Sequence, residues 1–536
     1  MSDGSSSSVS CDALESTDRV VGIDLGTSYS ALAVLEEDGQ PRVIDNSSGS
    51  PLTASVVLLS SADRAEVDPS HELLASSPPG QRVLAIKREM GNPRFALHHG
   101  DRRLTPELLS SLILTRLRQD AEVQIGPIRR AVITVPYYFN ELRRRATRNA
   151  GRIAGLEVVD IINEPTAAAL TYAWMCGALG TSGPGGRRRI LVYDLGGGTF
   201  DVTLVEITAA HLRVRATDGD TMLGGVDWTA RLCDEVAEEI IGQGGSDPRE
   251  TPEVAFRLSQ ACETAKRELS TRMVTTLVLT HDGRDHAIDL TRSRFERATA
   301  DLLQRTRDTT ELVLVQAEIE GTELDDIVLI GGSTAIPGVR TMLEELSGQP
   351  PSTLLDPSLA VAKGAAIHAA ILEARREGTD GQTGQALRRR LQQISTSNVN
   401  SHSLGVEVTD ANDSTIRSNH IMIPRNTPVP CQVTQRFVTT TDNPRAIYIR
   451  LLEGEVRDID ACVVIGDFRV VDLPAGLAAG SPIEVQYGYD LSGHIKVSAR
   501  ELVGSTEASV EIHWTGGVDE AALDGLRRLA ADYEVD

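Results

Sequence analysis

Lysine is nearly missing from this 536-residue chain: Lys87, Lys266, Lys363 and Lys496 are its whole complement, and arginine supplies every other basic side chain. Where lysine persists, a compact point charge that can shed its water is wanted rather than a planar fork. Positive charge is short altogether, with 53 basic against 76 acidic residues and a net charge of −23. That balance repels a phosphate backbone and an anionic bilayer, which argues against nucleic acid and membrane as partners. The six cysteines, Cys11, Cys176, Cys233, Cys262, Cys431 and Cys462, are scattered without CxxC or metal-ligand spacing. They read as free thiols in a reducing, cytoplasmic compartment. No apolar run approaches transmembrane length, and the first 18 residues lack the basic start and apolar core of a secretory signal. Serine-rich and polar, residues 1–18 read as a disordered tail.

What is present is ordinary globular composition, 40% hydrophobic and 24% charged, at a length that calls for two or three domains. One stretch stands out. "LVYDLGGGTFDV", residues 191–202, starts as a buried strand and then places Gly196, Gly197 and Gly198 in its middle. Glycine weakens a strand interior, so three in a row imply a tight reversal or a ligand lying against the main chain. Asp194 precedes them and Thr199 and Asp201 follow, which reads as a hairpin whose turn exposes backbone N–H groups to an anion. The flanking carboxylates suit Mg²⁺ held through its waters. A solvated glycine turn would explain the stretch alone, but a second copy stands near the start. "VVGIDLGTSYSALAVLEEDG" repeats strand, Asp-Leu-Gly, Thr, strand, with Asp24, Gly26, Thr27 and Ser28 in the corresponding places. Two such hairpins suggest two similar α/β halves facing one another across a nucleotide.

Up to about residue 375, apolar strand-like runs alternate with helical patterns, as an α/β architecture requires. "RRAVITVPYYFN" is a strand ending at Pro136. A helix stopping near Gly155, a short strand and a second helix opened by Asn163, Glu164 and Pro165 follow. "DDIVLIGGSTAIPGVRTMLEEL" gives a strand, a turn at Gly331 and Gly332, and a helix, a third opening of phosphate or sugar size.

Taken in order, "GIDLGTSYS", "VPYYFN", "AGRIAGLEVVDIINEPTAAAL", "VYDLGGGTFDV", "GDTMLGGVDW" and "DIVLIGGSTAIP" resemble the heat-shock protein 70 chaperones, members of the actin-like ATPase superfamily, over roughly residues 19–515. The resemblance implies an α/β actin-like, two-lobed nucleotide-binding domain (19–375), a linker (376–398) and an antiparallel β-sandwich peptide-binding domain (399–515). It implies ATP or ADP with Mg²⁺ as cofactors and hydrolysis of ATP. By position, Asp24, Asp194 and Asp201 resemble the carboxylates around the metal and the attacking water, with Asp24 and Asp194 holding Mg²⁺ through water. Thr27, Ser28, Tyr29, Gly26, Gly196, Gly197, Gly198 and Thr199 resemble phosphate contacts, and Lys87 the catalytic lysine. Glu263, Lys266, Arg267 and Ser270 match the adenosine pocket, and Gly331, Gly332 and Ser333 the opening beside it. Pro136 and Glu164 match the pair that links nucleotide state to the other domain. The chemistry implied is positioning: metal and backbone donors neutralise the polyphosphate while Lys87 and the carboxylates orient water in line.

Departures from the family pattern carry expectations of their own. Ala335 stands where "GGSTRIP" has an arginine that stacks on adenine, which predicts either a loss of about tenfold in nucleotide affinity or a loss of selectivity for adenine. Ser358 and Leu359 replace acidic residues near the base. Asp160 replaces a basic residue, reversing charge where J-domain cochaperones are expected to dock. The linker reads Ile394, Ser395, Thr396, Ser397 instead of a leucine-like run, and burying hydroxyls there would forfeit roughly 1.5 to 3 kcal/mol per side chain. The expectation is that docking of the linker on the ATPase domain is lost.

After Val399, period-2 runs separated by Gly, Pro and Asp turns read as the sandwich. Val406, Phe437, Ile447, Ile449 and Ile483 fall where the family lines its peptide pocket, although any sandwich core needs such residues. The loop in "TDANDSTIRSNH" is lengthened near that cleft. "GVDEAALDGLRRLAADYEVD" allows one short helical tail (516–536), with Ala522, Leu523, Leu526 and Leu529 on one face, in place of a long helical lid. A lidless pocket is expected to release peptide fast. Two functions fit: an ATP-dependent chaperone for extended apolar segments, with J-domain and nucleotide-exchange partners, or a nucleotide-sensing regulatory scaffold of the same fold that has lost peptide coupling. A sugar kinase or filament former leaves the sandwich unexplained.

Overall fold

The computed structural model describes residues 19–536 except 62, 181–185, 377–383, 411–415, 472, 490–494, 504–509 and 515–519. The expected tail 1–18 and part of the lengthened loop lie outside the described residues. Two mixed sheets organise the first three hundred and seventy-five residues, and each is built the same way. In the first, Glu157–Asn163 runs parallel to Ile128–Val135, which runs parallel to Arg19–Asp24; Tyr29–Leu35 and Pro41–Ile44 then add antiparallel. In the second, Asp326–Ile330 runs parallel to Arg188–Leu195, followed antiparallel by Phe200–Ile207 and His211–Asp220. The central strands carry Val, Ile and Leu on both faces, as strands covered on both sides must. Each sheet therefore has one hairpin whose tip carries the Asp-Leu-Gly motif, and both tips open toward the same cleft.

The helices Glu164–Met175 and Ala360–Arg375 share one apolar core with both sheets, drawing in Val132 and Ile162 from the first and Val192 and Val328 from the second. Small residues bring them close. A Cβ on Gly364 would lie 1.8 Å from the Ala167 carbonyl oxygen, and one on Gly22 would lie 2.1 Å from the Ala366 nitrogen. Separate cores fill the outer parts of the lobes. Helices Pro106–Ile125 and Glu141–Ile153 cover the first lobe, while Gly225–Gly242 and Pro252–Leu269 cover the second.

The segment read as a polar linker is structured where it is described. Gln385–Gln392 is a helix that packs on Ala360–Arg375, with Arg390 stacked over Trp174 at 3.7 Å. Leu391 and Ile394 are fully buried. Ser395–Ser397 then adds as a parallel strand to the edge of the second sheet, with Ser395 opposite His211. The expected loss of linker docking is thereby corrected: the hydroxyl side chains stay half-exposed, so no burial penalty falls on them, and main-chain pairing with Ile394 does the holding.

Beyond Val399, a five-stranded antiparallel sheet (Arg417–Ile423, Leu404–Thr409, Ile447–Glu453, Val463–Val470, Val510–Trp514) faces a three-stranded one (Cys431–Val438, Pro482–Tyr489, Ile495–Glu501) across a common core of Val406, Ile449, Phe468, Val485 and their neighbours. Strict alternation along Cys431–Val438 and Ile495–Glu501 puts one face of each inward.

The chain then returns to the first lobe. Glu520–Ala531 is a helix lying on Pro106–Ile125 and Glu141–Ile153. Leu523 is buried and Leu526 and Leu529 pack beside it, as their spacing predicts, whereas Ala522 faces solvent. Glu534–Val535 pairs in parallel with Arg64–Val67, Tyr533 enters the first lobe's core, and Arg64 forms an ion pair with Asp536.

Candidate functional site

The cleft between the two sheets has a volume of about 610 Å³ and is walled by both hairpin tips, by the N-terminal end of Gly225–Gly242, by Pro252–Leu269 and by the turn after Asp326–Ile330. The glycines answer two needs. A Cβ on Gly197 would lie 2.0 Å from Ser28 Oγ and one on Gly198 would lie 2.5 Å from Thr27 Cγ2, so the second tip is pressed against the first. Carbonyls of Gly196 and Gly197 accept from the amides of Gly225 and Val226 at 3.0 and 2.8 Å, and Ser333 Oγ donates to Gly196 at 2.9 Å. Among the described residues nothing accepts from the Gly197 and Gly198 amides. Gly331, with φ +83°, sits where a Cβ would reach the Leu195 carbonyl, while Gly332 faces open space.

Charge in the cleft is strongly unbalanced. Lys87 Nζ, on a short 3₁₀ turn, bonds Glu164 Oε1 at 2.5 Å with both side chains buried. Asp24, bonded by Thr134 Oγ1 at 2.9 Å, and Asp194 share the same space. Burial, with Glu164 adding to it, pushes the Asp24 carboxyl up to about 7 despite Lys87 and Thr134. Asp194 and Asp201 are likewise pushed well above the carboxylate range, first by burial and then by Glu164. Lys87 is held above its ordinary value because Glu164 and Asp24 outweigh its burial. Three buried acids in excess of one lysine are what a divalent cation would compensate. Two carboxylates beside open backbone amides fit Mg²⁺ carrying most of its own waters plus phosphate oxygens.

At the far end, Lys266 Nζ touches Glu263 Oε2 at 2.6 Å, Thr229 Oγ1 at 3.0 Å and the Gly225 carbonyl at 2.8 Å. Burial lowers the Lys266 pKa. Against its own burial, Glu263 is held below the ordinary range by Lys266, Thr229 and Arg267. Arg267 lies over the Tyr29 ring and donates to its hydroxyl at 3.1 Å. Ala335, Ser358 and Ser270 line the same end, and Ala335 is exposed.

The structure thus brings Asp24, Gly26, Thr27, Ser28, Tyr29, Lys87, Glu164, Asp194, Gly196, Gly197, Thr199, Glu263, Lys266, Arg267, Ser270, Gly331, Gly332 and Ser333 to one cleft. Gly198 and Asp201 stand off its wall. The Gly198 carbonyl accepts from Arg88 Nε, and Asp201 accepts from the amides of Tyr137 and Tyr138 at 3.0 and 3.2 Å. Pro136 leads into that same loop. Two residues of the loop region escaped the sequence reading. The Tyr137 hydroxyl donates to the Val399 carbonyl at 2.7 Å and accepts from its amide at 2.9 Å. Arg144 donates to the carbonyls of Phe139 and Tyr137 and to Asn163 beside Glu164. Asp160 turns inward to His368, whose Nε2 lies 2.8 Å away. Among the five residues expected at a peptide pocket, Val406, Ile449 and Ile483 are buried in the shared core, and Phe437 and Ile447 are partly open.

Further contacts hold the two-sheet unit and its entrance to both halves: Arg425 pairs with Asp218 of the second sheet at 3.0 Å, His402 Nε2 lies 3.1 Å from the Tyr138 carbonyl of the first lobe, and Thr166 Oγ1 donates to Asn398 Oδ1 at 3.1 Å just before Val399.

Comparison with known proteins agrees with this arrangement. The sequence profile described as "Hsp70 protein" matches residues 20–97 and 85–535. The chaperone protein DnaK of Thermotoga neapolitana is 38% identical over 528 residues, covering 97% of this chain and 84% of the relative. DnaK of Thermotoga maritima is 38% identical over 526 residues with the same coverage, and that of Halobacterium salinarum is 34% identical over 521 residues, 96% of this chain and 78% of the relative. A two-tipped, glycine-lined cleft and matches of this extent lead to one conclusion: the chain belongs to the Hsp70 family and is an ATP-dependent chaperone with ATPase activity.

Proposed function

We propose that the actin-like domain spanning residues 19–375 hydrolyses ATP in this cleft and that the sandwich, residues 399–515, binds extended apolar segments of unfolded proteins. Asp24 and Asp194 would hold Mg²⁺ through its waters, and the ion supplies neutralisation of the polyphosphate. Lys87, fixed by Glu164, presents a desolvated cation where negative charge develops. Gly197 and Gly198 offer amide hydrogens to phosphate. Arg267 stacks on the base from one side, with no arginine opposite at Ala335. Peptide binds where Phe437 and Ile447 are open. J-domain cochaperones and a nucleotide exchange factor are the expected partners in the cytoplasm, although Asp160 changes the charge of the first partner's docking face.

The observation that carries coupling is Tyr137. Its amide is gripped by Asp201, the register partner of Asp194, while its hydroxyl grips Val399 at the entrance to the sandwich. A shift of the second hairpin on loss of the γ-phosphate is passed through Asp201 and Tyr137 to that entrance. The test is the dissociation rate of a fluorescent apolar peptide from the purified chain with and without Mg-ATP, in the wild type, Lys87→Ala and Tyr137→Phe. The coupled reading expects ATP to speed release in the wild type and in Lys87→Ala, and to lose its effect in Tyr137→Phe. Peptide release that ignores ATP in the wild type moves the regulatory-scaffold reading ahead.

A further inference from the structure

Lys87 has a neighbour whose side chain crosses to the other lobe. Both residues stand on the 3₁₀ turn Ile86–Glu89, entered through Ala85 at φ +52°, a left-handed conformation that a residue with a Cβ keeps only where its surroundings hold it. Lys87 bonds Glu164 on its own side of the cleft. Arg88 reaches the opposite way: its Nε donates to the Gly198 carbonyl at 2.9 Å, and its Nη1 and Nη2 meet the two carboxylate oxygens of Asp227 at 3.4 and 2.6 Å. The Arg88 side chain is only 13% exposed. Asp227 in turn accepts from the Gly224 amide at 2.8 Å, at the start of the helix whose first amides hold the Gly196 and Gly197 carbonyls. One guanidinium therefore grips both the second hairpin tip and the helix end that braces it. The fit leaves no slack, since a Cβ on Gly198 would lie 2.9 Å from Arg88 Nε and one on Gly224 would lie 2.5 Å from the Gly198 nitrogen.

The Gly198 carbonyl and the Thr199 amide belong to one planar trans peptide, so they point in opposite directions. The carbonyl points at Arg88, which stands off the cleft wall, whereas Thr199 lines the cleft. We infer that Arg88 is a positioning residue for hydrolysis. By drawing the Gly198 carbonyl away from the cleft it turns the Thr199 amide toward the phosphates. By the same bonds it fastens the turn that carries Lys87 to that tip, so that the ammonium and the amide face one phosphate together. A planar fork can hold a carbonyl and a carboxylate at once and an ammonium cannot keep that geometry, which accounts for arginine next to one of the chain's four lysines. The inference rests on the reading of the cleft as the site of ATP hydrolysis.

The full chain is compared with Arg88→Gln and Arg88→Lys in three measurements: single-turnover hydrolysis of Mg-ATP, ADP affinity by calorimetry, and amide exchange across residues 196–200 and 224–227 without nucleotide. Hydrolysis is expected to slow by about tenfold to a hundredfold in both variants, as when a reacting group is misplaced by about an ångström. ADP affinity is expected to stay within about threefold of the wild type, the pattern of a group that acts on the chemical step. The tip amides are expected to exchange about tenfold faster, with no nucleotide needed to show it. Arg88→Lys keeps the charge and loses the fork, so full recovery of hydrolysis in it overturns the proposal. Hydrolysis in Arg88→Gln equal to the wild type, a loss of ADP affinity by the same factor as hydrolysis, or unaltered tip exchange overturns it as well. If the Arg88 variants do not fold, Asp227→Asn keeps an acceptor for the Gly224 amide and weakens the pair; it is expected to slow hydrolysis at least about threefold with ADP affinity unchanged, and unchanged hydrolysis overturns the proposal. A wild type that hydrolyses no ATP overturns the nucleotide reading together with this role, whereas a wild type that hydrolyses it at the rate of Arg88→Gln overturns this role alone.

Discussion

Docking of the two-sheet unit on the first lobe buries two carboxyl groups with no ion pair among the described residues, and this makes the contact a consumer of protons. Glu141 opens the helix Glu141–Ile153, and its backbone lies close to the carboxyl of Glu453 at the end of Ile447–Glu453. Around them stand Arg144, Arg145 and Arg148 from the first lobe, and Glu455, Tyr487 and Tyr489 from the sandwich. Burial raises both carboxyls from 4.5 to about 7; for Glu141 the arginines oppose the rise and Glu453 adds to it. An acid whose value is raised in the docked state stabilises docking fully below its undocked value and loses that contribution as pH rises through the docked one. The window is therefore the range from about 4.5 to about 7, with docking favoured on the acid side. Between about pH 6 and about pH 7.5 each carboxyl withdraws roughly 1 kcal/mol, so the pair weakens docking by about thirtyfold. Small-angle X-ray scattering across this range reads the docked fraction from the radius of gyration. The wild type is expected to expand as pH rises, and the double variant Glu141→Gln, Glu453→Gln to stay compact throughout. An equal expansion in that variant would sink the argument, because Asp24 in the cleft also titrates near 7 and would then be its source.

Other outcomes follow from single side chains. Lys87→Met removes the cation of a buried pair, so ATP turnover should fall by about two orders of magnitude in single-turnover assays, with several kcal/mol of stability lost as Glu164 is left unpaired. Ile394→Ala empties a fully buried position and should cost about 2 to 5 kcal/mol of linker docking, read as faster proteolysis between residues 376 and 398. Ala335→Arg adds a stacking partner on the exposed side of the proposed base pocket and should tighten ADP about tenfold by calorimetry; unchanged affinity would remove stacking as the cause. Leu523→Ala takes a buried side chain from the first lobe's core and should lower the unfolding temperature of that lobe, at a cost of about 2 to 5 kcal/mol; a tail merely resting on the surface would leave it unchanged.

What the sequence disclosed was local. The two hairpin tips are each written in about ten consecutive residues and repeat one pattern, so the cleft's floor was legible locally, whereas Lys87 and Lys266 lie outside both hairpins and were reached only through the family resemblance. The role of the glycines was only half visible: the contact of Gly197 with Ser28 joins segments far apart in the chain, and no local pattern encodes it. Tyr137 was hidden for the same reason, because the partner of its hydroxyl lies 262 residues away and an aromatic after a strand is ordinarily core. The linker misled because side-chain hydrophobicity was counted where main-chain pairing holds the strand. Ser395–Ser397 needs only free carbonyl and amide groups opposite His211–Arg213, which almost any sequence supplies.

These long-range contacts also define how the sandwich can move. It enters from a strand fixed to the second lobe's sheet and leaves into a helix fixed to the first lobe's core. Between Trp514 and Glu520 lie five residues, which span at most about 20 Å fully extended. A unit attached at both ends stays near the first lobe while both attachments hold. Complete separation from the first lobe requires the tail to peel away, breaking the Arg64–Asp536 ion pair, the strand pairing at Glu534–Val535 and the packing of Leu523 and Tyr533. Those apolar contacts cost more to break than one or two hydrogen bonds at the Tyr137 loop. If nucleotide moves the sandwich as proposed, the motion expected is a hinge about Val399, with the Tyr137 loop as the part that yields first.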